Sequence, residues 1–412
     1  MKIVTIDKSQ FDSFAKNHKY RNYYQTSKYG DVMDKFNYEV RYIGIYDNSE
    51  TIIGASLLLL QKGAMKTQVA YAPRGLLFDF TDSKQVEELV NALKNDLGKE
   101  GIATLKIDPA IPLTIRDGKG NIANINNEAS IIIENLKNAG FTYKGETLYF
   151  ETEKPRWEAL TVLEKDIREI YQNFDKKTKN KINKAIKSGI EVYRDTNKDI
   201  TTLYEFIKKN GYPLKYYKGL LEKFGDKADI FYAKLNTENF LINSKKKYEE
   251  ELGKNENLAE KFQNLAQQNG DRREIFNQKV LSDKLLAIYK SNMIFATNIL
   301  KQYPKGLIVG GALSIVYDNA AYLIIEGSSE KFKNLNGNYM IKWRMISDYN
   351  NEKLKYINLN AVTGNFESNN KYKSLNEMKA GYNAVITEYI GEFEIILNNF
   401  KYSLYKNFTK DK

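Results

Sequence analysis

Through roughly the first 150 residues, short apolar blocks alternate with stretches of helical period. Residues 9 to 18 read as a helix. Tyr38 to Tyr46 and Thr51 to Leu60 read as strands joined by a turn at Asp47-Asn48-Ser49, and Gln68 to Phe80 continues as a third strand. Val86, Leu89, Leu93 and Leu97 share one face of a helix over 83–98 that stops at Gly98. Ile102 to Ile107 is a short buried strand ending at Asp108-Pro109. A further helix precedes Gly140 and a strand follows it.

The late segment repeats this grammar. Gly306 to Val316 and Ala320 to Ile325 read as strands flanking an Asp318-Asn319 turn. A helix spans 337–349, and strands follow at Lys355 to Leu359 and Ala384 to Tyr389. Ile52-Ile53-Gly54-Ala55-Ser56-Leu57 is similar to Ile308-Val309-Gly310-Gly311-Ala312-Leu313. With the shared order of elements, this predicts a duplicated α/β unit.

The middle differs. No proline occurs between Pro213 and Pro304, and the chain from Lys245 to Asn292 is charged and helix-favouring. Tyr248, Leu252, Ala259, Phe262 and Ala266 recur at helical steps, Asn269-Gly270-Asp271 reads as a turn, and Ile275, Leu281, Leu285 and Ile288 restore the period. A narrow apolar seam on otherwise solvated helices predicts an antiparallel two-helix hairpin rather than a disordered linker.

The length of 412 residues fits two or three domains. There is no cysteine, and the single histidine, His18, lies in a polar stretch, which argues against thiolate chemistry, histidine triads and multi-histidine metal sites. No apolar run approaches the ~20 residues of a spanning helix, and the first residues carry no signal-peptide core, so a cytoplasmic protein is expected. The formal charge of +11 fits a polyanion or an anionic membrane face as partner, or simply a lysine-rich composition.

Several clusters bear chemistry. Asp175 to Gly189 reads as a helix with Asp175 as N-cap and Gly189 just past its end. Lys176, Lys177 and Lys179 crowd its first turn and Lys181 follows, where the helix dipole disfavours cations but phosphate is welcome. A generic solvated basic face is the other reading. Arg74, in Tyr71-Ala72-Pro73-Arg74-Gly75, can present a guanidinium to a carboxylate or phosphate, or be an ordinary strand-end arginine. Asp108 is either a cleft carboxylate or a turn-former. Lys215-Tyr216-Tyr217-Lys218 joins cations to aromatic faces, as a nucleotide or sugar diphosphate requires, or starts an amphipathic helix. Lys379, in Lys379-Ala380-Gly381-Tyr382, is placed to stabilise an oxyanion or a leaving oxygen. Walker and dinucleotide loops are absent. The nearest coenzyme A pattern, Arg41 to Tyr46, runs into a strand turn and is rejected.

In order along nearly the whole chain, these pieces resemble the Fem family of peptidoglycan bridge aminoacyltransferases. They are Tyr24-Gln25-Thr26, Tyr71 to Gly75, Leu105 to Pro109, the lysine-rich helix, Tyr322 to Ser328, Asn336 to Tyr339 with Trp343 to Ile346, and Lys379 to Ala384 leading to Glu388 to Phe393. The resemblance implies an α/β (α+β) fold of two tandem acetyltransferase-like (GNAT-like) subdomains that bind no acetyl-CoA, with an inserted coiled-coil-like helical arm. The expected boundaries are 1–150 for the first subdomain, with a helix at 395–412 packing back on it. The second takes 151–236 and 300–394, and the arm 237–299.

The implied reaction moves an amino acid (glycine, alanine or serine) from aminoacyl-tRNA to an amine of a peptidoglycan precursor, either lipid II or the UDP-MurNAc-peptide. The ester is already activated, so neither ATP, a metal nor another cofactor is implied. Lys379 looks like the family lysine that assists at the tRNA terminus, with Met378 where the family has phenylalanine. Asp108 matches a family aspartate. Lys215 falls near a diphosphate-contacting arginine, with Tyr216 and Tyr217 to stack nearby. Where the family often has lysine this chain has Met33, and Lys35 is the expected substitute. Contact with the inner membrane face and pairing of two copies through the arm are further expectations. Two other classes stay open: a non-catalytic scaffold of the same fold, and a coenzyme A-dependent N-acyltransferase.

Overall fold

The computed structural model describes residues 1–63, 67–209, 211–268 and 270–409. Asn269 of the expected arm turn and residues 410–412 of the expected C-terminal helix lie outside them. The first unit runs β1 (Lys2–Thr5), α1 (Lys8–Asn17), α2 (Ser27–Met33), β2 (Glu39–Tyr46), β3 (Ile52–Lys62), β4 (Gln68–Ala72), α3 (Ser83–Leu93) and β5 (Ile102–Ile107). Successive strands pair antiparallel until β5, which α3 carries round to lie parallel to β4. Then come β6 (Pro112–Arg116), β7 (Ile122–Ile125), α4 (Asn127–Asn138), β8 (Thr142–Tyr143), β9 (Trp157–Val162), α5 (Ile167–Gln172) and α6 (Lys176–Lys187).

The second unit repeats the first. Its elements are β10 (Ile190–Arg194), α7 (Thr201–Ile207), α8 (Leu214–Phe224), β11 (Ala228–Leu235), then α9 (Thr237–Gln267) and α10 (Arg273–Gln302), then β12 (Leu307–Tyr317), β13 (Ala320–Ser328), α11 (Gly337–Asn351) and β14 (Tyr356–Ala361). Three antiparallel pairings again precede a parallel one, β13 with β14. These are two tandem GNAT-like subdomains. The similar segments 52–57 and 308–313 fall on β3 and β12, which hold equivalent places. The helical arm enters between β11 and β12, where the first unit has only the Asp47-Asn48-Ser49 turn.

The chain ends with α12 (Lys373–Ala380), β15 (Val385–Tyr389), β16 (Phe393–Ile396) and α13 (Asn399–Thr409). The sheet orders are β1-β2-β3-β4-β5-β16-β8 and β10-β11-β12-β13-β14-β9-β15-β6-β7. The sheets therefore do not follow the expected boundaries at 150 and 394. Hairpin β6–β7 belongs to the second sheet through β15, and β16 returns to the first between β5 and β8. Gly391, at φ +96°, turns the chain from one sheet to the other, and Phe393 and Ile395 are buried in the first core. The third strand stops at Ala72 rather than Phe80, because Arg74 adopts a left-handed backbone (φ +54°) that ends the ladder.

One apolar core lies under each sheet. A third joins the subdomains, where Tyr29 and Val32 of α2 meet Tyr216 and Leu220 of α8. Gly219 lets Val32 approach there, since a Cβ would sit 3.3 Å from it.

Candidate active site

The parallel strands β4 and β5 end side by side, and their ends build the first part of the site. The left-handed turn aims the Arg74 N–H at Asp108 Oδ1 (2.6 Å), while the Tyr71 hydroxyl donates to Oδ2 (2.8 Å). The Arg74 guanidinium crosses to the second subdomain. It donates to Pro155 O (2.7 Å) and Glu158 Oε1 (2.9 Å) and lies 4.4 Å from the Tyr389 ring centre. Glu158, on β9, also accepts from Asn358 Nδ2 (2.7 Å) and the Tyr389 hydroxyl (2.9 Å). Arg74, Asp108 and Glu158 are all buried. Burial pushes the Asp108 carboxyl up to about 6, with Arg74 opposing the rise. Burial also works against the Arg74 cation, but Glu158 and Asp108 more than offset this and hold its pKa above the ordinary value.

A groove of about 390 Å³ opens beside this cluster and is lined by Tyr29, Met33, Phe36, Tyr71, Lys154 and Tyr216 among others. It gathers only part of the expected substrate set. Met33 lines it, whereas Lys35 points to an exposed ion pair with Glu222 (3.0 Å). Tyr216 faces the groove and Lys215 Nζ sits 4.4 Å from the Phe36 ring centre. Tyr217 turns into the core, where its hydroxyl accepts the Tyr212 N–H (3.0 Å), so it offers no stacking face. Sequence reasoning missed Lys154, whose ammonium lies 4.1 Å from the Tyr24 ring centre. It belongs to no motif, and its only signal is its place just before the buried strand β9.

The second part lies where β13 and β14 part. They pair only over Ala320–Tyr322 and Tyr356–Asn358. Asn360, left-handed at φ +70°, holds the gap by donating to Leu323 O (3.0 Å). At its mouth Lys379, buried on α12, donates to Ala361 O (2.6 Å). Burial pulls its ammonium down to about 8. Glu326 opposes the fall, and Lys342, itself fully buried and ion-paired to Glu326, adds to it.

The loop before α12 is pinned by Asn376, which accepts the Thr363 N–H (2.9 Å) and donates to Thr363 O (2.8 Å). The lysine-rich α6 abuts this helix. Asp175 caps α6 and donates its own N–H to Gly381 O (2.9 Å), and a Cβ on Gly381 would collide with Thr178. The α6 lysines are not equivalent. Lys177 pairs with Glu377 (2.7 Å) and Lys179 donates to Gln172 O (2.9 Å), while Lys176 is exposed and Lys181 half-buried.

His18 is half-buried between the Phe14 and Tyr20 rings, where burial pulls it down to about 4. It ends α1 and lines neither the groove nor the gap.

Comparison with known proteins agrees with this architecture. The lipid II:glycine glycyltransferase of Staphylococcus epidermidis is 24% identical over 419 residues, covering 98% of this chain and 95% of that protein. Its Staphylococcus aureus counterpart is 23% identical over 426 residues, with the same coverage. The crystal structure of FemX shares the fold, with a TM-score of 0.71 at 20% identity over 98% of this chain and 99% of that one. The FemAB family pattern matches residues 6–410, and the chain belongs to that family.

Proposed function

We propose that this chain is an aminoacyltransferase that extends the stem peptide or bridge of a lipid II-type peptidoglycan precursor, with aminoacyl-tRNA as donor. The observation that carries the reading is the buried Lys379 ammonium, held at the mouth of a gap between parted strands. The precursor occupies the aromatic groove, with Tyr216, Lys215 and Lys154 toward its charged portion. The RNA backbone runs along α6, against Lys176, Lys177, Lys179 and Lys181.

In the reaction the neutral acceptor amine attacks the ester carbonyl, forming the N–C bond and a tetrahedral adduct. Collapse breaks the C–O bond to the ribose. Lys379 gives its proton to the departing oxygen and recovers one from the nitrogen as the amide forms. A lysine near 8 suits both transfers. The rest is alignment, which in ideal cases contributes roughly 7–11 kcal/mol. Both Asp108 oxygens are engaged, so Asp108 acts by holding Arg74 in its turn, and Arg74 in turn holds Glu158.

No helix among the described residues is long and apolar enough to cross a membrane. Peripheral contact with a lipid-linked acceptor at the inner membrane face belongs to the proposal, supported by the lipid II named in the relatives. Pairing of two copies through the arm is part of the same reading. The test charges bulk tRNA with labelled glycine, then alanine, then serine, and incubates each with the protein and lipid-linked or nucleotide-linked muropeptide. RNase-sensitive transfer of label to the precursor is expected, first with glycine, the residue named in the relatives. No transfer from folded protein with any pair would favour a scaffold.

A further inference from the structure

Between the two halves of the site lies a second, much smaller space. Asn22, Tyr23, Tyr24, Glu158, Tyr322, Leu323, Asn358 and Asn360 line a partly open cavity of about 20 Å³, close to the volume one water occupies. It adjoins both parts of the site. Glu158 ties it to Arg74 and so to Asp108, while Leu323 and Asn360 belong to the gap that Lys379 closes. On its other side the Tyr24 ring of its wall lies 4.1 Å from the ammonium of Lys154, which lines the groove.

The wall chemistry is that of a cation site. An ionised carboxylate has about four acceptor positions, and Glu158 uses three, for Arg74, Asn358 and Tyr389. The Oε1 atom keeps one. The Tyr23, Tyr24 and Tyr322 rings line the same cavity, with the tilted Tyr23 ring centred 4.0 Å from that of Tyr24 and 5.0 Å from that of Tyr322. Aromatic faces attract an ammonium, and the Lys154–Tyr24 contact shows one doing so here.

We infer that this cavity is the subsite for the acceptor's primary amine, with Glu158 as the positioning residue that receives it from the groove and holds it beside the gap. The inference rests on the transferase reading above and assigns the amine to Glu158, which lines the cavity, rather than to Asp108, which lines neither the cavity nor the groove. The amine arrives as an ammonium, donates to Oε1, and loses one proton to solvent before attack.

The test is equilibrium binding of the lipid-linked precursor in detergent. The native side-chain amine is compared with an isostere in which a hydroxyl replaces it. The wild-type protein should bind the amine at least tenfold more tightly. In Glu158→Gln the ratio should fall to near one, with the hydroxyl form bound about as before. Should that variant not fold, Tyr24→Trp, which fills the cavity from its half-buried side, should erode the amine preference in the same way. A wild-type ratio near one, or a preference that survives in a folded variant, overturns the subsite while leaving the transferase reading intact. Failure of both precursors to bind removes the transferase reading itself, and the subsite with it.

Discussion

In the proposed transfer Lys379 must be a cation to donate its proton, yet its burial disfavours the cation. The compromise is a pKa near 8, which fixes two signs. The ammonium is present below pH 8, so the falling limb of kcat should lie near pH 8 in the wild type and move well upward in Lys379→Arg. Lys379→Ala should lose about 10²–10⁴-fold in rate, the usual worth of a positioned acid. The linkage to stability is separate. The unfolded lysine titrates near 10.5, so between pH 8 and 10.5 the unfolded chain binds the extra proton and stability rises with pH. That rise should vanish in Lys379→Met. A steady-state pH profile and denaturant titrations at several pH values check both. A rate limb unmoved in Lys379→Arg would assign the titration to another group. None of this is legible in the bare sequence, because a lysine in a lysine-rich chain carries no mark of burial. The family resemblance singled Lys379 out, and the environment made by Glu326, Lys342 and Ala361 O emerges only when β13 and β14 part. Arg74 and Asp108 were legible as strand-end residues, but their contact was not, since it depends on a left-handed backbone at a non-glycine residue.

Elements with a strong period were the readable ones. Strands β2, β3 and β5, helix α11 and both arm helices lie where the apolar spacing puts them. Hairpin β6–β7 was missed because β7 is exposed at all four positions and so shows no alternation, while β6 opens on a proline. The arm was found, but its seam was not. Alongside Leu258, the residues that close it include Glu251, Asn255 and Ser282, all buried, which a hydrophobic count assigns to solvent. Ser282 donates to Glu251 Oε1 (2.6 Å), and Asn255 bridges to Ser282 (3.2 Å) and Asp283 (2.8 Å). A network of this kind fixes register, since any slip leaves a buried carboxylate unpaired. Ser282→Ala should therefore destabilise the arm by about 1–3 kcal/mol, whereas the double variant Glu251→Leu with Ser282→Ala should return close to wild type. Hydrogen exchange resolved along α9 and α10 distinguishes the two, and equal loss in both would mean that the network contributes packing alone.

At the scale of the whole molecule, duplication was legible and the exchange of strands between the halves was not. Local patterns place β16 after β15 but say nothing of the Gly391 turn that sends it to the other sheet. That exchange seals the two subdomains together and brings Arg74 of one against Glu158 of the other, with α6 packed against the helix of Lys379. The proposed donor path gives the net charge of +11 a direction, because α6 packs against the helix that carries Lys379. Each phosphate contact releases counterions and contributes roughly 0.7–0.9 to the slope of log affinity against log salt. Removing two of the proposed contacts, Lys176→Ala with Lys181→Ala, should lower the magnitude of the tRNA-binding slope by roughly 1.4–1.8 between about 50 and 200 mM salt. Lys2→Ala, an exposed lysine paired with Glu50 on the first subdomain, should leave it unchanged. Anisotropy of labelled tRNA across that salt range measures all three proteins. If both variants shift the slope alike, binding follows overall charge and α6 is not the RNA face. If only the α6 variant shifts it, the RNA backbone runs along α6, as the proposed donor path to Lys379 requires.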